Sequence, residues 1–359
     1  MNERWTTKIS TPALVLNYDA MLENIKKMAE FVKSTKVTLR PHLKTAKMPM
    51  IAHMILKEGG AKGIAVAKVG EAEIFAQSGI DDILIANQVI DPEHIKRLIM
   101  LSKYILVRCA VDSKKNISDL CKYATQSNSE LEVLLEINLG LGRAGVEPGQ
   151  PALEIAKFIR DTPGVKLVGL QGYEGHLTPM MNADQREAMT NECMKALIDT
   201  KNLLIQEGFK IDIVSTSGSA TYMYSAKYPG VTEIQPGTFY FSDEHLHRVN
   251  PVFDIAVTVL TTIQNQTGKK EFTADAGTKA IAIGDGKPEV KGFPKIKFRV
   301  INEEHSQLKS IGADLEIGQK IEFIPAHVCT TINLYDFIHV IKDNEYIGKW
   351  QILARGKNY

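Results

Sequence analysis

Several features that would mark a protein class are scarce or missing from this 359-residue sequence. The 43 basic side chains nearly balance the 42 acidic ones, so a formal charge of +1 leaves no surplus for neutralising nucleic-acid phosphates. No apolar run approaches the roughly 20 residues that a membrane-spanning helix needs. The N-terminal residues, MNERWTTKIS, contain no apolar segment typical of a signal peptide. These absences predict a cytoplasmic protein that binds neither nucleic acid nor membrane.

Cysteine is also scarce, and its spacing excludes a disulfide framework. The four cysteines are far apart and form no CxxC pair, which predicts reduced thiols. A glycine-rich dinucleotide fingerprint is missing after the first predicted strand, which argues against an oxidoreductase. A hydrophobic fraction of 44% and a charged fraction of 24% are nevertheless ordinary for a folded, globular enzyme.

Strand and helix signals alternate over the first two thirds of the chain. Eight short runs rich in Val, Ile and Leu predict strands covered on both faces, and amphipathic segments separate nearly all of them. This count predicts an α/β fold, a (β/α)8 TIM barrel over residues 18–248, although a doubly wound open sheet would give the same local signal. The predicted strands are 37–40, 63–67, 83–86, 105–111, 131–138, 166–173, 211–215 and 232–235.

The pattern changes after about residue 248. Strand-like segments then follow one another through short turns, with hardly a helix between them. They predict a C-terminal all-β domain over residues 249–359, to which we assign residues 1–17 with the strand-like segment 13–17. The predicted strands are 253–263, 270–274, 297–301, 320–324, 337–341 and 350–353.

The loops after the barrel strands contain the first candidate functional residues, because barrel active sites lie at the carboxyl ends of strands. Lys44 follows the first strand, where an apolar, desolvated mouth would lower a lysine pKa and favour a Schiff-base nucleophile. A surface lysine in a basic loop is the alternative. Arg143 follows the fifth strand in a glycine-rich turn, which presents it either as a fixed cation or as an exposed arginine on a flexible loop.

Small hydroxylated residues and glycines follow the last two barrel strands. Residues 215–221 and 235–238 could direct several N–H and O–H donors at one anion, and barrels often bind phosphate at this place. Two ordinary loops would have the same composition. Their joint position favours a phosphate site.

A histidine and a cysteine two residues apart form the candidate metal site in the β domain. In an extended chain His327 and Cys329 would point to the same side, and imidazole with thiolate suits zinc. The alternative is a packed histidine beside a buried thiol.

Taken in order, these motifs resemble the D-threonine aldolase and D-serine dehydratase family of pyridoxal-phosphate enzymes, which have the alanine racemase fold. The resemblance extends over nearly the whole chain. Its motifs are TPALVL at 11–16, RPHLKT at 40–45, GRAG at 142–145, QGY at 171–173, QPGT at 235–238, DAGTK at 275–279, NEEH at 302–305 and PAHVC at 325–329.

The resemblance implies a role for each matching residue. Lys44 would bind pyridoxal 5'-phosphate covalently, Arg143 would approach its phenolic oxygen, and Tyr173 would face the ring or the substrate. His327 and Cys329 would bind a divalent metal, zinc or manganese, beside the substrate's hydroxyl. The phosphate would be bound by Ser217, Gly218, Ser219, Gly237 and Thr238. A homodimer acting on a small D-amino acid is expected from the same resemblance.

Two departures within the family bear on the reaction. The aldolases have His-x-Asp at the metal, whereas this chain has the His-x-Cys of the dehydratases, at His327 and Cys329. Aldolases also have a histidine six residues beyond the tyrosine, where this chain has Pro179, and His176 could substitute for it as a catalytic group or be structural. Both departures favour β-elimination of a 3-hydroxy-D-amino acid to a 2-oxo acid and ammonia. Retro-aldol cleavage to glycine and an aldehyde is the alternative reaction, and an amino-acid racemase is a third hypothesis.

A protein that binds the cofactor without catalysis is disfavoured. Small single-barrel carriers of that kind lack a second β domain, which residues 250–359 supply here.

Overall fold

The computed structural model describes residues 5–284, 286–312 and 314–359. The chain divides into two compact units. The barrel unit comprises Met28–Lys44, Met48–Gly237 and Gly356–Tyr359; the β unit comprises the residues up to Lys27, Thr45–Lys47 and Thr238–Arg355. Within the described part of the chain, no helix has the length and apolarity needed to cross a membrane.

The barrel unit contains the predicted eight-stranded parallel sheet. Its strand order is β2-β9-β8-β7-β6-β5-β4-β3, and a parallel bridge between His42 and Ala65 joins the two end strands. This closure, with helices between successive strands, confirms the TIM barrel over an open sheet. The strands are β2 (Thr38–Leu39), β3 (Ile64–Val66), β4 (Asp82–Gln88), β5 (Leu106–Val111), β6 (Leu131–Ile137), β7 (Val165–Gly172), β8 (Ile213–Thr216) and β9 (Glu233–Ile234).

Three of the helices between these strands, α4, α5 and α7, begin at a side-chain cap, which Asp91, Ser113 and Asn182 supply. Pro92 occupies the first turn of one helix, and Asp91 before it accepts hydrogen bonds from the amides of Glu93 and His94. Helices α2 and α8 were not predicted. The helices are α1 (Tyr18–Lys33), α2 (Pro49–Glu58), α3 (Val69–Gln77), α4 (Pro92–Leu101), α5 (Lys114–Gln126), α6 (Gln150–Arg160), α7 (Ala183–Gln206), α8 (Tyr222–Ser225), α9 (Glu244–Val249) and α10 (Val328–Ile332).

An ionic layer joins carboxylates at the amino ends of three barrel strands. Arg40, only 5% exposed, donates from Nε to Glu233 at 2.8 Å and from Nη1 to Asp82 at 2.8 Å. Arg108 bridges Asp82 and Glu132 at 3.1 and 2.9 Å. Because both arginines of this layer have carboxylate partners, this end of the barrel is a rigid support and leaves the opposite end for the site.

The β unit is built on one nine-stranded sheet, which confirms the predicted all-β class. Its order is β13-β14-β11-β10-β1-β16-β17, with β15 paired to β10 and β12 paired to β15. The N-terminal strand β1 lies between β10 and β16. The strands are β1 (Ala13–Asn17), β10 (Val257–Gly268), β11 (Glu271–Ala274), β12 (Glu289–Val290), β13 (Ile296–Ile301), β14 (Ser306–Ser310), β15 (Lys320–Ile324), β16 (Phe337–Lys342) and β17 (Glu345–Gln351).

The positions of a strand and of helices in the β unit correct the sequence-based prediction. The last strand begins at Glu345 rather than near Trp350, because Asp343 and Asn344 both adopt positive φ and form a tight hairpin turn directly after β16. The unit also contains helix α10, where hardly any helix was expected, and helix α9, which lies almost wholly before residue 249, in the segment assigned to the barrel. Both helices lie at the candidate metal site.

Candidate active site

Lys44 lies in the loop that follows the first barrel strand. The Leu43 amide donates to the carbonyl of Ala65, and the Ala65 amide donates to the carbonyl of Pro41, which anchors this loop to the next strand. Leu43 and Thr45 are buried. The Lys44 side chain between them is exposed. The prediction that protein burial desolvates Lys44 is therefore wrong: β2 is only two residues long, so the loop already extends beyond the packed strands. The ammonium is accessible from the carboxyl end of the barrel.

Arg143 lies in a sharply turned loop between β6 and α6, as the glycine pattern predicted. Asn138 closes the turn by accepting hydrogen bonds from the amides of Gly140 and Gly142, each at 3.1 Å. Gly145 has φ +95°, and a Cβ there would lie 2.7 Å from the Asn138 nitrogen, so only glycine fits. The Arg143 guanidinium lies 5.5 Å from the centre of the Tyr173 ring, a cation–π contact.

Tyr173 connects this arginine to the loop after β8. A Cβ placed on Gly218 would lie 3.1 Å from Cε2 of Tyr173, so the glycine allows the ring to approach the loop backbone closely. Thr216 and Ile234 pair in the parallel sheet, and the two predicted phosphate loops therefore begin side by side. The structure thus brings Arg143, Tyr173 and Gly218 together at the carboxyl end of the barrel.

The loop after β8 fits a phosphate group. Ser217 is 3% exposed, has a positive φ of 68°, and has a buried Oγ with no hydrogen-bond partner among the described residues. Such a strained, unsatisfied hydroxyl is what an absent anionic acceptor would explain. Ser219 is buried and Gly237 half-buried. Thr238 begins the next turn, where its carbonyl accepts hydrogen bonds from two amides.

A buried carboxylate below these loops was not predicted from the sequence. Glu136, at the end of β6, accepts hydrogen bonds from Gln88 at 2.7 Å and from Gln171 at 3.4 Å. Burial raises the pKa of Glu136, and the Gln88 hydrogen bond and the Arg143 charge oppose that increase. Gln171 in turn accepts from Gln235 at 3.2 Å. This chain of amides fixes the ends of four barrel strands.

His176 is half-buried on the short turn that follows Tyr173. Its ring packs against the Gly140 loop, where an added Cβ would lie 3.2 Å from Cε1. Its Nδ1 atom is buried and has no hydrogen-bond partner among the described residues. The ring therefore adjoins the Arg143 loop, while Pro179, at the position of the aldolase histidine, is exposed and has no acid–base group.

His327 and Cys329 come together by a different geometry from the one predicted. Strand β15 ends at Ile324, His327 is the residue before helix α10, and Cys329 lies in the first turn of that helix. The extended-strand prediction is thus wrong, because the chain turns into a helix between the two residues. Their side chains nevertheless form a hydrogen bond. The Sγ atom of Cys329 also lies 3.0 Å from Oγ1 of Thr45, the residue after Lys44 in the chain.

Asp243 determines which nitrogen of His327 faces the cysteine. Its Oδ2 atom lies 3.0 Å from Nδ1 of His327 and accepts a hydrogen bond from the Val328 amide, also at 3.0 Å. With Nδ1 bound to Asp243, Nε2 is the nitrogen left for Cys329. The Cys329 thiolate, with the Asp243 carboxylate, raises the pKa of His327 to about 11 against the effect of burial. This pair therefore fits a divalent cation that would replace the shared proton.

His327 and Cys329 are the two donors of this candidate metal site. Among the described residues, no group of three or more His, Cys, Asp and Glu side chains is arranged to bind a metal ion. A cation at His327 and Cys329 would therefore complete its coordination with water or substrate, which is typical of catalytic rather than structural sites.

We expect Asp243→Asn to lower the affinity for zinc by about 10- to 100-fold, the usual effect of losing the partner of a metal-binding histidine. Asparagine keeps an oxygen for the Leu246 amide, which Asp243 caps at 2.8 Å, but its amide group favours the wrong tautomer of His327. Competition with a chromophoric chelator measures the affinity directly.

The matched control for this variant is Asp91→Asn. Asp91 also caps a helix, α4, where its side chain accepts hydrogen bonds from the backbone amides of Glu93 and His94. Asp91→Asn should leave the zinc affinity unchanged, while it shares any loss of stability that comes from altering a helix cap. Equal zinc affinity in wild type and Asp243→Asn would contradict a positioning role for Asp243.

Two protein-family models match this chain, one over most of the barrel unit and one over much of the β unit. A model described as "Alanine racemase, N-terminal domain" matches residues 16–245. A second model, described as "Putative serine dehydratase domain", matches residues 256–341. Together the two matches cover both the lysine loop and the His327–Cys329 pair.

Curated proteins and solved structures match over nearly the whole chain. The chain is 30% identical to 3-hydroxy-D-aspartate aldolase of Paracoccus denitrificans, over 98% of this chain and 94% of that protein. It is 31% identical to D-threonine aldolase of an Arthrobacter species, over 97% and 93%. The crystal structure of D-threonine aldolase from Filomicrobium marinum matches with a TM-score of 0.94 and 31% identity, covering 98% of this chain and 96% of that one. The chain therefore belongs to the alanine racemase-like family of pyridoxal-phosphate enzymes and, with these aldolase relatives, to its lyases.

Proposed function

We propose that this protein is a lyase that eliminates the β-hydroxyl group of a 3-hydroxy-D-amino acid, giving a 2-oxo acid and ammonia, with pyridoxal phosphate and a divalent metal. The observation that carries the choice of elimination is the hydrogen-bonded His327–Cys329 pair, oriented by Asp243. The dehydratases of the family that this chain resembles have the same His-x-Cys pair, whereas the aldolases have His-x-Asp. Zinc is the metal that imidazole and thiolate favour together.

Lys44 is proposed to bind the cofactor and then to act as the base. When bound, pyridoxal phosphate supplies an electron sink for negative charge at the substrate's Cα. Elimination requires a group that removes the Cα proton, and the exposed Nζ of Lys44 is free to accept it once the substrate amine has displaced it.

The remaining barrel residues are proposed to orient the bound cofactor. The Ser217 hydroxyl and the backbone around Gly218 would donate hydrogen bonds to its phosphate. Arg143 would direct its charge toward the phenolic oxygen, and its contact with the Tyr173 ring limits the directions in which it can point. The buried Glu136 beneath them would balance the Arg143 charge.

The metal pair is proposed to assist departure of the hydroxyl group. A cation bound by His327 and Cys329 would supply Lewis acidity toward the β-oxygen, which leaves as hydroxide and takes a proton to become water. Since Nδ1 of His327 is bound to Asp243, the imidazole would bind the cation through Nε2 without rotation of its ring.

A second candidate function is retro-aldol cleavage. The 30% and 31% identities to two aldolases over nearly the full chain favour it. Cleavage requires a base for the β-hydroxyl proton. Pro179 cannot supply one, and His176 is the imidazole nearest to that position in the sequence.

Product analysis with D-threonine, added pyridoxal phosphate and zinc or manganese tests the proposal. We expect ammonia and 2-oxobutanoate in equal amounts, because loss of the β-hydroxyl leaves the carbon skeleton intact. D-Serine should give pyruvate in the same way. L-Threonine is the control and should give neither product.

Each other outcome identifies a different reaction. Glycine with acetaldehyde would overturn elimination and establish the aldolase. L-Allothreonine without loss of ammonia would establish a racemase, whose activity should also survive removal of metal by a chelator.

A further inference from the structure

One fully buried carboxyl group in the barrel unit has no role in the chemistry proposed above. Glu174 follows Tyr173 in the chain and is 0% exposed. Its carboxyl oxygens accept hydrogen bonds from Oγ1 of Thr216 at 3.2 Å and from Oγ of Ser225 at 3.3 Å. The hydroxyl of Thr221 is a third partner. Glu174 thus accepts hydrogen bonds from three hydroxyl groups, those of Thr216, Thr221 and Ser225.

The three hydroxyl residues flank the turn formed by residues 217–220. Thr216 ends β8 immediately before this turn, while Thr221 and Ser225 follow it, at the start and end of α8. Thr221 also accepts a hydrogen bond from the Gly218 amide at 3.3 Å. Glu174 therefore connects the two ends of the 217–220 turn through one side chain.

The 217–220 turn needs such a connection because its conformation is unfavourable by itself. Ser217 adopts φ +68°, a left-handed conformation that is strained for a residue other than glycine. The same residue has the buried Oγ with no partner. Surrounding contacts must therefore maintain this geometry, in which a bound anion would supply the missing partner of the Ser217 hydroxyl.

A buried carboxyl is a costly way to fill space. Burial raises the pKa of Glu174, and the hydrogen bonds from Thr221, Thr216 and Ser225 oppose that increase. An apolar side chain would avoid the desolvation of a polar group but could not join three hydroxyls. The three hydrogen bonds therefore indicate that Glu174 fixes the position of these hydroxyl residues rather than filling space in the core.

We propose that Glu174 is a positioning residue that keeps the 217–220 turn in the conformation required to bind the phosphate group of the cofactor. The inference rests on the proposed use of pyridoxal phosphate. Glu174 acts through Thr216, Thr221 and Ser225 and touches neither substrate nor cofactor. Its loss should therefore weaken binding of the phosphate group without affecting recognition of the pyridine ring.

The test compares binding of pyridoxal phosphate and of pyridoxal, which lacks the phosphate, to the apoenzyme by absorbance titration. Glu174→Ala should raise the Kd for pyridoxal phosphate about tenfold, since one lost acceptor leaves several buried hydroxyls unsatisfied. The Kd for pyridoxal should stay within about twofold of wild type by the same reasoning. Glu174→Gln keeps one oxygen acceptor and offers an NH2 donor that a rotated hydroxyl can accept, so it should retain most of the preference for the phosphorylated form.

The matched control is Glu71→Ala. Glu71 is also buried in the barrel unit, at 1% exposure, but accepts hydrogen bonds from the amides of Ala67 and Lys68. Glu71→Ala should share any general loss of stability but leave the ratio of the two Kd values unchanged. If Glu174→Ala does not fold, Thr221→Val replaces it, and that variant should reduce the preference for pyridoxal phosphate in the same direction.

The outcomes separate this inference from the proposed function. A wild-type protein that binds pyridoxal phosphate no better than pyridoxal would contradict the proposed cofactor site itself. A wild-type preference that Glu174→Ala and Thr221→Val leave intact would overturn only the role of Glu174. Equal weakening of both ligands in Glu174→Ala would also overturn it, because it would indicate general damage to the barrel.

Discussion

Replacing Lys44 by alanine is expected to lower turnover by about 10⁴-fold or more, because this one side chain is proposed both to bind the cofactor and to move the Cα proton. The visible absorbance of lysine-bound pyridoxal phosphate should disappear with it. Borohydride reduction of the wild-type holoenzyme, followed by digestion and mass spectrometry, should identify the modified peptide as the one that contains Lys44. Lys44→Arg, which retains charge but cannot form the linkage, should behave like the alanine variant.

Lys68→Ala is the matched control for the lysine variants. Lys68 is exposed and directly precedes α3, after the neighbouring barrel strand β3. It therefore tests whether any exposed lysine at this end of the barrel serves the reaction. Full absorbance and turnover are expected in this control. A borohydride adduct on another lysine in wild type would contradict the role of Lys44 even if Lys44→Ala were inactive.

The barrel was predictable from the sequence because parallel strands covered by helices must be apolar on both faces. The runs at 105–111 and 131–138 differ by one residue from the observed β5 and β6. The strands β12 and β14 were missed for the opposite reason. Their residues alternate between buried and exposed positions. In β14, two of the three buried positions are serines, Ser306 and Ser310, so hydrophobicity alone does not reveal the strand.

The candidate site could be predicted as far as strand order determines it. Because β6, β7 and β8 are neighbours in the sheet, Arg143, Tyr173 and Gly218 must follow adjacent strand ends. Contacts made across long stretches of chain had no local signal. Asp243 lies 84 residues from His327, and its sequence context indicates only a helix cap. Glu174 resembles any loop glutamate until its three hydroxyl partners are known.

The proximity of His327 and Cys329 was predicted from the wrong local structure. A two-residue spacing suggested an extended strand, in which alternate side chains share a face. Pro325 and Ala326 follow β15 without continuing it, and the Asp243 carboxylate accepts the hydrogen bond from the Val328 amide at the start of α10. The beginning of that helix, rather than a strand, brings the imidazole and the thiol together.

Cys329→Ala is expected to abolish stable metal binding and to reduce turnover by about 100-fold or more without added metal, because one remaining imidazole is a weak site for a divalent cation. The absorbance of bound pyridoxal phosphate should be unchanged, since the cofactor is proposed to bind through barrel residues. Millimolar zinc or manganese should restore part of the activity. Metal content by mass spectrometry and turnover on one sample separate the two effects.

Cys193→Ala is the matched control for the loss of a thiol. Cys193 is half-buried, and its Sγ contacts the carbonyl of Leu139 at 3.2 Å, so its removal should change neither metal content nor product. Cys329→Asp tests the chemistry further. A carboxylate in place of the thiolate should retain a metal site but shift its preference from zinc toward manganese, because oxygen ligands suit the harder cation. Full turnover in metal-free Cys329→Ala would remove the Lewis acid from the proposed reaction. The elimination would then need Lys44 or His176 to protonate the leaving hydroxide.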